Sequence, residues 1–206
     1  MKLQISYNFT DLNQALDVAR KTVNHADILE VGSLLIYKEG INAIKQFKIN
    51  FPQKPIFADV KISENVQSAI GLLAQAGANI ISILAGIPYN TIKKAADEAK
   101  KLGLSLALDV IDTPDASQIS LDAKQLGIDI ILVHQPSVET DPVEFASQIQ
   151  SIQANTKIPL FITGRIDRDN IQQIISLKPQ GIAIGSAIIK ADNPYQEALY
   201  FKSLLP

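Results

Sequence analysis

The sequence predicts an α/β protein, a single-domain (β/α)8 TIM barrel over residues 1–206, and three observations carry that prediction. Short runs rich in Ile, Leu and Val alternate with longer amphipathic stretches along the whole chain. The runs are near-continuously apolar, as parallel strands covered by helices are. Strand–helix units number eight in 206 residues, so a barrel closes with none left over. An open doubly wound sheet is the competing arrangement. No linker or low-complexity segment divides the chain.

The elements follow in order. "KLQISYN" is the first strand, and Leu12, Ala15, Leu16, Ala19 and Val23 then recur at helical spacing behind Asp11, an N-terminal cap. "ADILEVG" is the second strand, ending in Glu30 and Gly32, with a helix near 38–49. Pro55 to Ile62 forms the third, with a helix over 65–76. "ANIISIL" is the fourth, followed by an Ala- and Lys-rich helix over 90–102. "LSLALDV" and "IDIILVH" are the fifth and sixth, separated by a helix from about Pro114 to Leu126. "IPLFITG" is the seventh, with a helix at roughly 168–177, and "GIAIGSA" the eighth, closed by a helix ending near Leu205. Glycine turns at Gly77, Gly103, Gly127 and Gly181 mark the passages from helix to strand.

Composition narrows the function. A formal net charge of -2 gives no basic surface for nucleic acid. The absence of cysteine excludes disulfides, thiolate metal sites and a cysteine nucleophile. No apolar run reaches membrane-spanning length, and the N-terminus lacks the apolar core of a signal peptide. A soluble cytoplasmic protein is expected.

In such a barrel the site lies at the carboxyl ends of the strands, and polar residues collect there. Strand one ends at Asn8, two at Glu30, three at Asp59 and Lys61, five at Asp109 and six at His134. Strands seven and eight end in Thr163-Gly164 and Gly185-Ser186. Singly, Asn8 and Thr163 read as strand-end hydrogen bonders, His134 as either structural or functional, and Asp109 as a carboxylate that orients its neighbours or acts. Asp112 and the lysines 93, 94, 100 and 101 read as solvated.

Together the charges demand more. Asp59 and Lys61 alternate onto one strand face, and a buried charge costs several kcal/mol unless paired or metal-bound. Two carboxylates plus water form the sparse oxygen set that Mg²⁺ accepts. Beside them a lysine keeps its charge, and cation and ammonium together stabilise a developing oxyanion such as an enediolate. An ion-pair cluster that only plugs the barrel top is the alternative. Gly164 and Gly185-Ser186 stand where many barrels bind phosphate, and Arg165 adds a guanidinium at the same mouth.

The chain resembles the orotidine 5′-monophosphate decarboxylase suprafamily, specifically its 3-hexulose-6-phosphate synthase and 3-keto-L-gulonate-6-phosphate decarboxylase branch. The likeness rests on "ILEVG", "ADVKISE", "LVH", "ITGR" and "AIGSA". Its most specific element is Asp-x-Lys-x-x-Asp on strand three, here Asp59-Val60-Lys61-Ile62-Ser63-Glu64. The resemblance implies that Glu30 and Asp59 bind Mg²⁺ and that Lys61 sits against enediolate oxygens. It makes His134 an acid/base residue, while Gly164 and Gly185 hold a sugar phosphate. It further implies a homodimer in which Glu64 approaches the partner's site. Glu30 separates this branch from the orotidine decarboxylases, which carry a lysine there and work without metal.

Two reactions remain open within the branch: addition of formaldehyde to ribulose 5-phosphate, and decarboxylation of 3-keto-L-gulonate 6-phosphate. A third reading is a catalytically weakened barrel that binds a sugar phosphate. It is motivated by departures from the family pattern. Asn8 replaces an aspartate, and Glu64 is one methylene longer than the usual residue, where a shift near 1 Å costs on the order of 10²-fold in rate. Gly32-Ser33-Leu34 replaces Gly-Thr-Pro, Gly164-Arg165 replaces Gly-Gly, and Gln135-Pro136 replaces Thr-Gly.

Overall fold

Every strand is built from residues that can be buried on both faces, and eight of them close in sequence order, β1 to β8, into an all-parallel barrel. The structure is a computed structural model, and it describes residues 1–113, 115–135 and 142–206. Pro114 and Pro136, named above, lie outside the described residues. The elements are β1 (Lys2–Tyr7), α1 (Leu12–Thr22), β2 (Ile28–Val31), α2 (Ser33–Glu39), α3 (Ile41–Asn50), β3 (Ile56–Ile62), α4 (Val66–Gln75), β4 (Ile80–Leu84) and α5 (Tyr89–Lys101). They continue as β5 (Ser105–Asp109), α6 (Ala116–Leu126), β6 (Ile130–His134), α7 (Pro142–Asn155), β7 (Leu160–Thr163), α8 (Ile171–Ser176), β8 (Gly181–Ile184), α9 (Ser186–Ile189) and α10 (Pro194–Leu204). No helix among the described residues is long and apolar enough to cross a membrane.

Strand alternation sorts the core into two parts. Outward residues such as Leu3, Ile5 and Tyr7 pack under the helices in one large cluster. Inward residues Ile28, Phe57, Ile80, Ala107, Ile130, Leu132 and Phe161 form a second, separate cluster that fills the barrel floor. The barrel is thus plugged below, and only its upper end is open to chemistry.

Helix boundaries differ from expectation at four places. The helix expected at 38–49 is two helices, α2 and α3, because Gly40 adopts φ 61°, ψ -150° between them. Asn8 starts α2 earlier than expected: its Oδ1 accepts the Leu34 N–H at 2.9 Å, supplying the cap that Gly32 cannot. That approach requires glycine, since a Cβ on Gly32 would lie 2.9 Å from the Asn8 Cα. No bounds are predicted for the helix between β6 and β7, yet Phe145, Ile149 and Ile152 are buried on one face of α7. The helix after β7 is shorter than expected, because Asp167 Oδ1 accepts the N–H groups of Asp169 and Asn170 in a turn that delays it. The closing helix is likewise split, with α10 capped by Asn193 and opened by Pro194.

The base of the barrel carries a repeated polar clasp. Asp27 donates its N–H to the Leu3 carbonyl, while its Oδ2 accepts the Leu3 N–H at 2.7 Å. Asn79 does the same with Ile56, Asp129 with Leu106, and Gln180 with Leu160. Each clasp residue stands just before an even-numbered strand and ties it to the odd strand before it. Lys202 of α10 reaches Asp27 Oδ2 at 2.6 Å and ties the last helix to the first clasp.

Candidate active site

Above the apolar floor the barrel interior turns polar. Of the eight buried polar or charged residues among those described, Gln4, Ser6, Glu30, Asp59, Ser82 and Asp109 all occupy inward strand positions; Thr22 and Ser120 do not. The strand ladders order these six into layers. Ser6 pairs in register with Glu30, and Asp109 with Leu132, so five of these residues form a cap directly over the floor, and Gln4 reaches up to it from the floor layer.

Lys61 is the centre of the cap. Its Nζ lies 2.6 and 2.7 Å from the two Asp59 oxygens and 3.4 Å from Asp109 Oδ2. It reaches them through an irregular backbone: β3 loses register with β4 between Ala58 and Ile62, and Lys61 itself has φ 47°. Such a bulge re-aims a side chain, and a left-handed lysine is strained unless its surroundings hold it. Ser82 does so, accepting the Lys61 N–H at 2.8 Å and donating to Asp59 Oδ1 at 3.1 Å.

Asp109 is fully buried and commits both oxygens. Oδ1 accepts the Ile111 N–H at 3.0 Å, and Oδ2 faces His134 Nε2 at 3.0 Å as well as Lys61. The carboxylate thus orients the imidazole and the ammonium at once.

Glu30 differs from the other acids. Its oxygens accept from Gln4 Nε2 at 2.6 Å and Ser6 Oγ at 2.5 Å, both neutral donors. Burial first, and then the charge of nearby Asp59, push its carboxyl up to about 7, against the opposing pull of Ser6, Gln4 and Lys61. Lys61 is raised as well: burial opposes its charge, but Asp59, Asp109 and Glu30 outweigh burial. Among the described residues no group of three or more His, Cys, Asp or Glu side chains stands ready to share a metal ion. What is present is a carboxylate pair, with an ammonium bound to Asp59 and none bound to Glu30.

The residues expected at the site divide accordingly. Glu30, Asp59, Lys61 and His134 converge on one network, with Asp109 as the joint. Thr163, Gly164, Gly185 and Ser186 border the same mouth from β7 and β8; the Thr163 hydroxyl donates to the Ala183 carbonyl at 3.4 Å. Arg165 is exposed with φ 50°, beside Gly164 at φ 88°. Asn8 is turned to the α2 cap, as described. Glu64 is exposed past the end of β3, on an open apolar groove of about 300 Å³ formed with Ile41, Val60, Ile62 and Leu72. Sequence reasoning missed Gln4, Ser6 and Ser82. A signal existed for the first two, since they share a strand face with Asn8.

Residues 1–201 match the family model described as "Orotidine 5'-phosphate decarboxylase / HUMPS family". The chain is 30% identical over 202 residues to 3-hexulose-6-phosphate synthase 2 of Staphylococcus saprophyticus, covering 96% of this chain and 94% of the relative. A solved 3-hexulose-6-phosphate synthase from Salmonella typhimurium superposes with a TM-score of 0.91 at 28% identity, over 100% of this chain and 98% of that one. The fold is shared with 3-keto-L-gulonate-6-phosphate decarboxylase from Vibrio cholerae, at a TM-score of 0.87 and 22% identity over 98% of this chain and 95% of that one. The chain belongs to the orotidine 5′-phosphate decarboxylase / HUMPS family, in the branch of hexulose-phosphate synthases and keto-gulonate-phosphate decarboxylases.

Proposed function

We propose that the barrel mouth is the site of a 3-hexulose-6-phosphate synthase, an Mg²⁺-dependent aldehyde-lyase that joins formaldehyde to ribulose 5-phosphate. The observation that carries the reading is the unequal treatment of two neighbouring carboxylates. Asp59 has an ammonium, whereas buried Glu30 has only neutral donors and is destabilised by Asp59. A hard divalent cation held by Glu30 and Asp59 fits that deficit, since Mg²⁺ takes one or two carboxylates and keeps part of its water. When bound, it would supply Lewis-acid stabilisation for negative charge on the substrate's oxygens.

The protein's own groups do the remaining work. Lys61 faces the negative charge that builds as the C1 proton of the ketopentose leaves. With its Nε2 proton directed to Asp109, His134 has the Nδ1 lone pair with which to take up that proton. C1 then forms the new carbon–carbon bond to formaldehyde, and the proton returns to the formaldehyde oxygen, giving a hydroxymethyl group. Gly164, Arg165, Gly185 and Ser186 hold the phosphate, with Asn8 and Thr163 on the sugar side. In this reading the enzyme is a homodimer, and Glu64 extends from one subunit toward the partner's site across the groove it lines.

The test is direct: incubation with Mg²⁺, ribulose 5-phosphate and formaldehyde should consume formaldehyde. Release of CO₂ from 3-keto-L-gulonate 6-phosphate, without formaldehyde uptake, replaces this reading by the decarboxylase. One observation favours a third, non-catalytic reading: Asn8 spends its side-chain oxygen on the Leu34 N–H. Calorimetric binding of a phosphosugar with turnover on neither substrate supports a weakened, sugar-phosphate-binding barrel.

A further inference from the structure

We infer that Gln4 and Ser6 are positioning residues that fix the orientation of the Glu30 carboxyl group for a divalent cation; the inference rests on the metal reading above. Gln4 is fully buried, and the strand registers place it in one layer of the barrel with Phe57, Ala107 and Phe161. That layer is otherwise apolar. A glutamine there is costly, because its Oε1 has no hydrogen-bond partner among the described residues. Leucine or methionine would fill the layer without that defect. What they could not supply is the Nε2–H bond to Glu30 Oε2 at 2.6 Å.

Ser6 completes the arrangement from the same strand, donating to the other oxygen, Oε1, at 2.5 Å. One donor per oxygen fixes the plane of the carboxylate and leaves each oxygen lone-pair capacity for a further bond. Both donors are neutral, so they orient the charge without cancelling it. A lysine or arginine in either place would hold Glu30 equally well and take the cation's role. The contrast with Asp59 is internal to the site: both of its oxygens receive the Lys61 ammonium. Asp59 is a neutralised carboxylate, and Glu30 is one held in reserve.

Outer partners of a metal ligand are worth 10- to 100-fold in affinity by general experience. Mn²⁺ binding, read by the loss of its free electron-paramagnetic-resonance signal, is the measurement, with circular dichroism confirming that each variant is folded. Gln4→Met and Ser6→Ala should each weaken Mn²⁺ binding by about 10-fold or more, while Ser6→Thr, which retains the hydroxyl, should stay near the parent. If the parent binds Mn²⁺ and folded Gln4→Met and Ser6→Ala bind it equally well, the positioning role is wrong and the metal site stands. If the parent itself binds no Mn²⁺, the metal reading fails, and this inference fails with it for that separate reason.

Discussion

The main-chain N–H of Lys61 and the hydroxyl of Ser82 meet at 2.8 Å, and that hydroxyl in turn donates a hydrogen bond to Asp59. One serine therefore supports a left-handed lysine backbone and the carboxylate that the same lysine grips. Ser82→Ala leaves the strained Lys61 N–H without this acceptor. We expect a stability loss of about 1–2 kcal/mol in urea unfolding and a fall in turnover of at least 10-fold. Ser82→Thr should recover most of both. Unchanged turnover in Ser82→Ala would show that the bulge holds its shape without the hydroxyl.

Glu30 makes stability depend on pH in a stated direction. Its folded value of about 7 lies above its ordinary 4.5, so the native state binds a proton that the unfolded chain has released. The destabilisation is full above about 7 and absent below about 4.5, so metal-free protein gains stability as pH falls through that window. The gain is on the order of 3 kcal/mol. Melting temperatures from pH 8 to pH 5 check this, with Glu30→Gln expected to flatten the difference. Mg²⁺ should raise the melting temperature at pH 8 far more than at pH 5. An equal effect at both would separate the metal from Glu30.

Asp109 orients two groups that carry protons. Asp109→Asn keeps the shape and removes the charge that His134 and Lys61 share. Turnover should fall by about 10²-fold or more, the range of a lost general acid–base arrangement, and the pH–rate profile should move. A variant with the parental profile would reduce Asp109 to a packing role.

At the far end of the barrel, Asp129→Ala removes one clasp and leaves the Leu106 N–H without its side-chain acceptor. A loss of about 1–2 kcal/mol is expected, with kcat and KM unchanged, because the apolar floor separates base from mouth. Chemical denaturation alongside steady-state kinetics tests both halves of that statement.

Much of this architecture was legible from residue order. The eight apolar runs fixed strand number and sequence order, and the strand-end rule brought Glu30, Asp59, Lys61 and His134 to one mouth. Strand alternation explained Asp59 with Lys61 only in outcome, since the lysine arrives through a bulge and φ 47° rather than a regular pleat. Asp109 could not be assigned a role before its distances were known, because an inward carboxylate at a strand end fits several. Gln4 and Ser6 hid inside "KLQISYN", where polar residues on a short strand look like surface. Asn8 reads as a strand-end hydrogen bonder, and its Oδ1 caps a helix that begins before the predicted one.

The four clasps at the base group the barrel as β1β2, β3β4, β5β6 and β7β8, each by a paired main-chain and side-chain bond, whereas the β2–β3 seam carries a lysine bridge there instead, Lys54 Nζ to the Ala26 carbonyl at 2.6 Å. The chain ends already touch, with the Met1 ammonium 2.7 Å from the Pro206 carbonyl. Circular permutation should therefore be asymmetric. New termini opened between α3 and β3, or between α5 and β5, keep every clasp within one contiguous strand–helix–strand stretch. Termini opened between α1 and β2, or between α4 and β4, cut a clasped pair apart and force its ends to find each other across the whole chain, with slower folding as the result.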